Sequence, residues 1–307
     1  MDNKWYFDIA PGSIADLQQH ARDITTLIPF WYGVKEDGTL ADMSSEEIKK
    51  IAYNNNLPIY PIVHNYSDPK KSQLIHDLIS TPYLRNTLIS NIRNMAETNN
   101  YPGINIDFEF VPPEDRENLN IFIRDLYISL KAIRKIVTIS VPAELTDNPR
   151  HPFSGAFQYS FIAQYADEVY ILAYDEHFSQ PGPISSIGFV TNVLNYAVTV
   201  IPPQKIWLGM AVYGYDWTQG VNYPRTLTYQ QAVDLAKNLG VTIIYDQTAQ
   251  ESTYTYVLDG KVHSVWFEDS KSFFAKLSLV DSYKLSGIAV WRLGQEDPNI
   301  WNILKTK

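Results

Sequence analysis

The sequence contains no cysteine, so it cannot form disulfide bonds or thiolate metal sites. Its six histidines lie at positions 20, 64, 76, 151, 177 and 263, and no two of them share the H-x-H or H-x-x-x-H spacing of common metal sites. We therefore expect neither a metal ion nor another cofactor in this protein.

Basic residues are also scarce, with 25 Lys and Arg against 34 Asp and Glu and a net charge of −9. This balance argues against nucleic acid or an anionic membrane as a partner, because no excess of cations is available to neutralise phosphates. No apolar run approaches the ~20 residues of a membrane span. The first five residues, Met1 to Trp5, lack the apolar stretch of a secretory leader. The chain as given is therefore expected either not to be exported or to have had a leader removed.

The apolar content is sufficient for one large domain, which we expect to act as a monomer. With 307 residues, of which 45% are hydrophobic and 19% charged, the chain can bury a sizeable core. Aromatic residues are numerous, with 21 Tyr, 13 Phe and 7 Trp. We expect most of these rings to pack in the core, although aromatic faces also stack on the C–H faces of sugars. The composition is therefore compatible with a carbohydrate-binding cleft.

Short apolar runs alternate with helical patterns throughout the chain, which indicates parallel βα units. Eight strands with interleaved helices predict an α/β fold, a closed (β/α)8 TIM barrel. The predicted strands are Trp5–Ile9, Thr26–Tyr32, Pro58–His64, Gly103–Val111, Val137–Pro142, Glu168–Tyr174, Lys205–Tyr213 and Gly287–Trp291. The clearest predicted helices start at Ser44, with Glu47 completing a capping box, span about Thr81 to Glu97, and follow Pro112-Pro113.

One gap in this rhythm, at residues 223–284, is too long for a single crossover helix. We predict that residues 1–307 form one domain and that 223–284 is a small α+β insertion between barrel strands seven and eight. The turn Asp259-Gly260-Lys261 contains an Asp-Gly pair that suits a tight hairpin. The predicted elements of the insertion are a helix at Tyr229–Leu239, a strand at Val241–Tyr245, and a hairpin of Thr253–Leu258 with Val262–Phe267.

The segment 103–111, Gly-Ile-Asn-Ile-Asp-Phe-Glu-Phe-Val, is the most informative part of the sequence. Side chains alternate between the two faces of a strand, so two sets of residues are expected to point in opposite directions. The set predicted to pack under the outer helices is Ile104, Ile106, Phe108 and Phe110. The set predicted to point into the barrel is Asn105, Asp107 and Glu109.

Two carboxyl groups inside a barrel are costly, because an ion removed from water must be paired or lose its charge. Close like charges force one carboxyl to hold its proton near neutral pH, which makes it a candidate general acid. The alternative is an amphipathic strand with a solvated polar face. That alternative is disfavoured because parallel strands in βα units are usually covered on both faces.

The pattern Asn105-x-Asp107-x-Glu109 resembles the D-x-D-x-E motif on the catalytic strand of glycoside hydrolase family 18, the chitinase family. Further segments are similar to the family in the same order, and the resemblance covers essentially the whole chain. It implies a retaining glycosidase that cleaves β-linked N-acetylglucosamine polymers. The further segments are Leu172-Ala173-Tyr174-Asp175 for the sixth-strand Met-x-Tyr-Asp, His263 to Asp269 for the exit from the insertion domain, and Gly287 to Trp291 for the eighth strand.

Within the family, the spore-cortex-lytic and spore-germination N-acetylglucosaminidases are the most similar subgroup. The similarity lies in Asn-Ile-Asp-Phe-Glu followed by Val-Pro-Pro-Glu-Asp-Arg, and in Ala-Tyr-Asp-Glu-His at 173–177. Proteins of this subgroup usually carry LysM repeats at the N-terminus, and none is recognisable in this sequence. The resemblance implies spore cortex peptidoglycan fragments or chitin-type oligosaccharides as substrates.

The resemblance also implies roles for individual residues. Glu109 would protonate the glycosidic oxygen, and Asp107 would orient the substrate's 2-acetamido group, whose carbonyl oxygen attacks the anomeric carbon. An oxazolinium ion would then replace a covalent enzyme intermediate. The residues that would bind the sugar are Tyr174 and Asp175, which would hold the acetamido group, Trp291, the floor of the site, and Tyr6 and Tyr213, which would line the same subsite.

Asn105 departs from the family motif, in which this position is usually Asp. An Asn can donate its amide N–H to an ionised Asp107, so we expect it to favour the charged form of that carboxyl. We also count it among the catalytic residues, because it replaces one member of the motif.

Two alternatives belong to other functional classes. The first is a carbohydrate-binding lectin on an inactive hydrolase barrel, which is disfavoured because such relatives typically lose the acid that Glu109 supplies. The second is an unrelated barrel hydrolase that uses Asp107 and Glu109 with a metal ion, which is disfavoured by the lack of clustered histidines. Release of reducing ends from a glycan would distinguish a hydrolase from the lectin. Activity in the presence of EDTA would distinguish a metal-independent enzyme from the metal-dependent hydrolase.

Overall fold

Strands and helices alternate along most of the chain in the computed structural model, which describes residues 1–10, 12–66 and 68–306. Two short 3-10 turns lie at Pro113–Asp115 and Pro203–Lys205. In chain order the elements are β1 (Asn3–Phe7), α1 (Ser13–His20), β2 (Thr26–Val34), β3 (Leu40–Asp42), α2 (Glu46–Asn54), β4 (Ile62–His64), α3 (Lys71–Ser80), α4 (Pro82–Thr98), β5 (Gly103–Asp107), α5 (Arg116–Lys131), β6 (Ile136–Pro142), α6 (Tyr159–Ile162), β7 (Glu168–Leu172), α7 (Ile187–Val200), β8 (Ile206–Ala211), β9 (Tyr213–Thr218), β10 (Arg225–Thr228), α8 (Tyr229–Leu239), β11 (Ile244–Asp246), β12 (Glu251–Leu258), β13 (Lys261–Phe267), α9 (Ser270–Tyr283), β14 (Gly287–Trp291) and α10 (Ile300–Lys305).

Eight of these strands run parallel and close into a barrel, in the order β1, β2, β4, β5, β6, β7, β8 and β14. The barrel closes because β1 pairs with both β14 and β2. The predicted (β/α)8 fold is confirmed, and the predicted strand Gly287–Trp291 coincides with β14. Within the described ranges, no helix has the length and apolar character needed to cross a membrane.

The main core lies between the barrel strands and the outer helices, as the alternation along β5 predicts. Ile104 and Ile106 are buried there, and the ring centroid of Phe108 lies 5.2 Å from that of Phe122 on α5. Phe110 was predicted on the same face, and this is wrong. The strand ends at Asp107 rather than at residue 111, and Phe110 has a left-handed φ of 55° and is 39% exposed.

The helix predicted to start at Ser44 begins two residues later, at Glu46. Ser45 is its N-cap, because the Ser45 hydroxyl accepts the backbone N–H of Ile48 at 3.5 Å. Ser44 is held one step earlier, where its own N–H donates to the Asp42 carboxylate at 2.8 Å. The predicted cap is therefore displaced by one residue, because an aspartate two residues upstream binds the first candidate.

A second, antiparallel sheet lies between barrel strands β8 and β14, in the order β10-β9-β13-β12-β11. Its helix α8 has the predicted limits, Tyr229–Leu239. The hairpin turn consists of Asp259 and Gly260, with φ values of 52° and 74°. Two positive φ values suit the twist of a tight hairpin. Lys261, predicted in the turn, is the first residue of β13.

The limits of this sheet differ from those of the predicted insertion. The predicted strand Lys205–Tyr213 is two strands, because β8 ends at Ala211 and Tyr213 already begins β9. No turn residue marks this change of sheet. At the other end, α9 packs against the outer helices α7 and α10. The sheet therefore spans residues 213–267, and the division of the chain with an insertion at 223–284 stays a prediction.

A buried ionic cluster fastens the second sheet to the barrel. The Lys276 ammonium on α9 lies 2.5 Å from a Glu268 oxygen and 3.7 Å from a Glu251 oxygen. Glu251 also accepts the backbone N–H groups of Ile184 and Ser185, at 2.7 and 3.0 Å. Burial, with Glu268 close by, raises the pKa of Glu251 to about 8. The cluster thus joins β12, the residue that follows β13, α9 and the loop that follows β7.

Candidate active site

A ladder of polar side chains rises inside the barrel, and Asn105 is its lowest member on β5. The Asn105 amide donates to the Thr138 hydroxyl at 3.0 Å, and its carbonyl oxygen accepts from Ser140 at 3.1 Å. The Ser140 hydroxyl lies 2.8 Å from that of Tyr6. All four side chains are buried. The expected hydrogen bond from Asn105 to Asp107 is not the one that forms, because β6 offers closer partners.

Asp107 is the last residue of β5 and is 6% exposed. Burial raises the pKa of Asp107 well above its usual value, and the neighbouring Glu109 carboxyl raises it further. This environment opposes the charged form of Asp107 that was expected from the sequence, and that expectation stays a prediction. Desolvation and a like charge both disfavour the ion, so the surroundings of Asp107 favour its protonated form.

Glu109 lies just beyond the end of β5 and is partly exposed at the mouth of the barrel. Burial raises the pKa of Glu109 to about 7, with Lys71 lowering it and Asp175 raising it. A carboxyl with such a pKa can donate a proton near neutral pH, which is the property that a general acid needs.

The backbone of Glu109 is held by the side chain of Asn65, which follows the end of β4. The Asn65 carbonyl oxygen accepts the Glu109 N–H at 2.8 Å. Its amide nitrogen donates to the Glu109 carbonyl at 2.7 Å and to the Lys71 carbonyl at 3.1 Å. Asn65 is buried. Its side chain therefore replaces the strand pairing that ends at His64 and Asp107, and it fixes the backbone of Glu109 where regular structure stops.

Asp175 faces the two carboxyls from the end of β7 and is solvent-accessible in the cleft. It accepts the hydroxyls of Tyr213, at 2.5 Å, and Tyr215, at 2.7 Å. Desolvation raises the pKa of Asp175, and the two hydroxyl donors lower it. Tyr174 lies on the same side, where burial raises its pKa well above the usual value and the charges of Asp107 and Glu109 add to the effect.

Trp291 forms an aromatic floor at the end of β14. Its ring centroid lies 5.3 Å from that of Tyr6 and 6.1 Å from that of Phe30. The indole is only partly buried, so one part of it remains open to the cleft. The peptide bond to Arg292 is cis, and Arg292 forms an ion pair with Asp8. The site thus combines three carboxyl groups, tyrosine hydroxyls and a partly open indole.

Residues 6–296 match the family model described as glycosyl hydrolases family 18. The chain belongs to glycoside hydrolase family 18. The cortical fragment-lytic enzyme of Bacillus anthracis is 34% identical over 291 residues, which are 92% of this chain and 67% of that protein. The spore cortex-lytic enzyme SleL of Bacillus megaterium QM B1551 superposes with a TM-score of 0.91 at 29% identity, covering 99% of this chain and 73% of that one. A Chromobacterium violaceum chitinase gives a TM-score of 0.92 at 27% identity, covering 99% and 98%.

The predicted resemblance to the spore-cortex-lytic members of family 18 is confirmed. The chain is a glycoside hydrolase. It spans about two thirds of the length of the curated relatives that it matches. Proteins of this kind act on carbohydrate or peptidoglycan.

The eight residues predicted for the family 18 site occupy different depths. Glu109, Tyr174, Asp175 and Trp291 reach the cleft, and Asp107 lies directly beneath them. Tyr6 and Asn105 lie deeper, and the Tyr6 hydroxyl is hydrogen-bonded to that of Ser140. Tyr213 is buried behind Asp175. This geometry brings the set together, and the individual roles stay predictions.

Two residues of the site were missed by the sequence analysis. Tyr215 binds Asp175 beside Tyr213, and alternation along β9 could have found it, because residues two apart share a face. Asn65 binds Glu109 from 44 positions away along the chain, and no local pattern signals that contact.

Lys71 places a cation beside Glu109 in the cleft. The Lys71 ammonium lies 3.9 Å from the ring centroid of Tyr66 and 4.4 Å from that of Phe110. Such distances are those of cation–π contacts. Across the residues that the structure describes, no group of three or more His, Asp or Glu side chains is arranged to hold a metal ion.

Proposed function

We propose that this chain hydrolyses β-linked N-acetylglucosamine polymers with retention of configuration, by substrate-assisted catalysis. The observation that carries the proposal is the stacked pair of Asp107 and Glu109, with the upper carboxyl open to the cleft at a pKa of about 7. The pair faces Tyr174 and Asp175 across the mouth of the barrel. Active sites of this fold lie at the carboxyl ends of the strands, where this pair is found.

In the first step, the Glu109 carboxyl gives its proton to the glycosidic oxygen as the bond from that oxygen to the anomeric carbon breaks. The carbonyl oxygen of the substrate's own acetamido group forms a new bond to the same carbon, giving an oxazolinium ion. In the second step, the Glu109 carboxylate takes a proton from water. The water oxygen attacks the anomeric carbon and opens the oxazolinium ring, which restores the acetamido group. Two displacements at one carbon leave its configuration unchanged.

The acetamido group needs partners that strengthen as positive charge develops on it. Asp107 lies next to Glu109 and can release its proton to balance that charge when substrate enters. Asp175, already bound by two tyrosine hydroxyls, is positioned to hold the acetamido group from the opposite side. Tyr174 supplies a further hydroxyl on the same wall.

Trp291 is proposed to support the distorted sugar from below. Its indole rests on Tyr6 and Phe30, so the platform is rigid before substrate arrives. A flat aromatic face complements the C–H face of a pyranose ring. Tyr6 and Tyr213 act one layer behind the sugar, through Ser140 and Asp175.

Spore cortex peptidoglycan fragments are the proposed natural substrate, supported by the cortical fragment-lytic relatives. Products from cortex fragments and from chitooligosaccharides should be compared side by side by mass spectrometry. We expect cleavage after N-acetylglucosamine units, with a new reducing end for every bond broken. Absence of new reducing ends from both substrates, with a folded protein, would overturn the proposal.

A further inference from the structure

The charge distribution in the cleft is asymmetric. Asp107, Glu109 and Asp175 are acidic, whereas Lys71, the first residue of α3, places a cation next to Glu109. The Lys71 ammonium contacts the rings of Tyr66 and Phe110 and is partly exposed. Within the part of the chain that the structure describes, this ammonium forms no ion pair with a carboxylate.

The backbone keeps this cation in a fixed relation to the acid. A single side-chain amide, that of Asn65, donates to the carbonyls of both Lys71 and Glu109, at 3.1 and 2.7 Å. The two aromatic rings restrict where the ammonium can lie. An ammonium carries three donors, and aromatic faces do not neutralise its charge. The lysine is therefore held beside the reaction centre with capacity for an anion.

A neutral chitin-type glycan presents no anion to such a group. Peptidoglycan does, because its muramic acid units carry a lactyl carboxylate, free or extended by a peptide. We propose that Lys71 is a specificity-determining residue that binds a carboxylate carried by the glycan beside the scissile bond. The site then prefers carboxylate-bearing peptidoglycan strands to neutral N-acetylglucosamine polymers. This inference rests on the proposed function and specifies its substrate.

The test compares three tetrasaccharides at pH 5. The first alternates N-acetylglucosamine with N-acetylmuramic acid, the second is its methyl ester, and the third is chitotetraose. At this pH the Glu109 carboxyl, with a pKa of about 7, stays protonated with or without Lys71. A lactyl carboxyl resembles an α-carboxyl, with a pKa of about 3.3–3.7, and is ionised. Any change in acid–base catalysis is therefore removed from the comparison.

We expect Lys71→Gln to lower kcat/KM on the free acid by about tenfold or more, which is the scale of one charge-assisted hydrogen bond. The same variant should act on the ester and on chitotetraose within about twofold of wild type. Lys71→Arg should recover most of the loss. Lys70→Gln removes the neighbouring exposed cation and should behave as wild type. An equal loss on acid and ester, or no loss on either, would overturn the inference.

Calorimetric binding in a Glu109→Gln background separates the two hypotheses. If wild type hydrolyses none of the tetrasaccharides, the proposed function fails, and binding still decides the inference. We expect the background protein to bind the free acid about tenfold more tightly than the ester. Equal affinity for the two would overturn the role of Lys71, even if Lys71→Gln cannot be prepared folded.

Discussion

The pKa of Glu109 gives the residue-scale account a measurable consequence. Glu109 must be protonated to act as the acid, so kcat/KM should fall as pH rises through about 7, the pKa of the free enzyme. Lys71 lowers this pKa, so Lys71→Gln should move the alkaline limb of the profile to higher pH. A pH–rate series on a neutral substrate measures both effects. A limb that stays in place, or moves to lower pH, would mean that Lys71 does not act on Glu109.

Glu109→Gln should remove nearly all turnover, because the amide cannot donate the required proton. General acid catalysis is worth roughly 10²–10⁴-fold in rate. Steady-state kinetics on chitooligosaccharides measures the loss, and calorimetry should show that oligosaccharide binding is retained. Retention of more than about a tenth of the wild-type kcat, a barrier change under ~1.4 kcal/mol, would assign the acid to another residue.

Glu109→Gln should also change how the stability of the protein depends on pH. Because the folded-state pKa of Glu109 is raised, the wild-type carboxyl binds its proton more tightly when folded, and its contribution to stability is lost as pH rises through about 7. Glu109→Gln does not titrate. It should therefore lose less stability than wild type between pH 6 and 8 in thermal unfolding.

Asn105→Asp tests the departure from the family motif. Asn105 is hydrogen-bonded to Thr138 and Ser140, so an Asp there adds a third carboxyl below Asp107 without opening the site. We expect activity within roughly tenfold of wild type and a displaced pH–rate profile, because interacting carboxyls titrate as a unit. An increase in kcat of ~10³-fold or more would instead show that the natural protein is a disabled hydrolase.

At the scale of elements, Asp107 and Glu109 lie where β5 ends. The directions of the side chains at residues 104–108 could be predicted from alternation, because a strand of a closed barrel has one face inside the barrel and one face under the helices. The conformation of the segment beyond Asp107 could not be predicted in this way. Phe110 adopts a left-handed conformation there, and no neighbouring turn residue in the sequence indicates it. The position of Glu109 is instead set by Asn65, a contact between the ends of two strands.

Asn65→Ala should therefore lower kcat by about tenfold or more with little change in KM, because the acid loses its position and not its substrate. Losing a buried hydrogen-bond partner also costs about 1–3 kcal/mol of stability. Kinetics per folded molecule, with the folded fraction measured by circular dichroism, separates the two effects. Asn55→Ala, which removes an amide bound to the Ile51 carbonyl on α2, is the matched control. A drop in stability with normal kcat would reduce Asn65 to a structural role.

At the scale of the whole molecule, the second sheet contributes to the candidate active site. β9 continues directly from barrel strand β8 and brings Tyr213 and Tyr215 to Asp175. The insertion predicted from the sequence begins at residue 223, whereas β9 already begins at Tyr213, and Val212 between β8 and β9 is neither Gly nor Pro. The ionic cluster of Glu251, Glu268 and Lys276 was equally invisible, since its members meet only after the sheet docks. The monomeric state stays a prediction.

The barrel, the order of its strands and the inward-facing motif of Asn105, Asp107 and Glu109 were predictable, because each depends on local periodicity or on a short motif. The depth of each side chain within the site could not be predicted, because it depends on which neighbouring strand supplies its hydrogen-bond partner. Tyr6 is the clearest case, since its hydroxyl is bound by Ser140 on the opposite side of the barrel. In our proposal Tyr6 therefore does not contact the sugar, as was predicted, but supports Trp291, the floor of the site, from below.

The stereochemistry of the first product tests the central claim most directly. Substrate-assisted catalysis inverts the anomeric carbon twice, so the sugar released at the new reducing end must first appear as the β-anomer. Proton NMR during the first minutes of hydrolysis, before mutarotation, reads the anomer ratio. We predict β in excess at the earliest time points, decaying to the equilibrium mixture. Initial α-anomer would contradict the mechanism built on Glu109, Asp107 and the substrate's acetamido group.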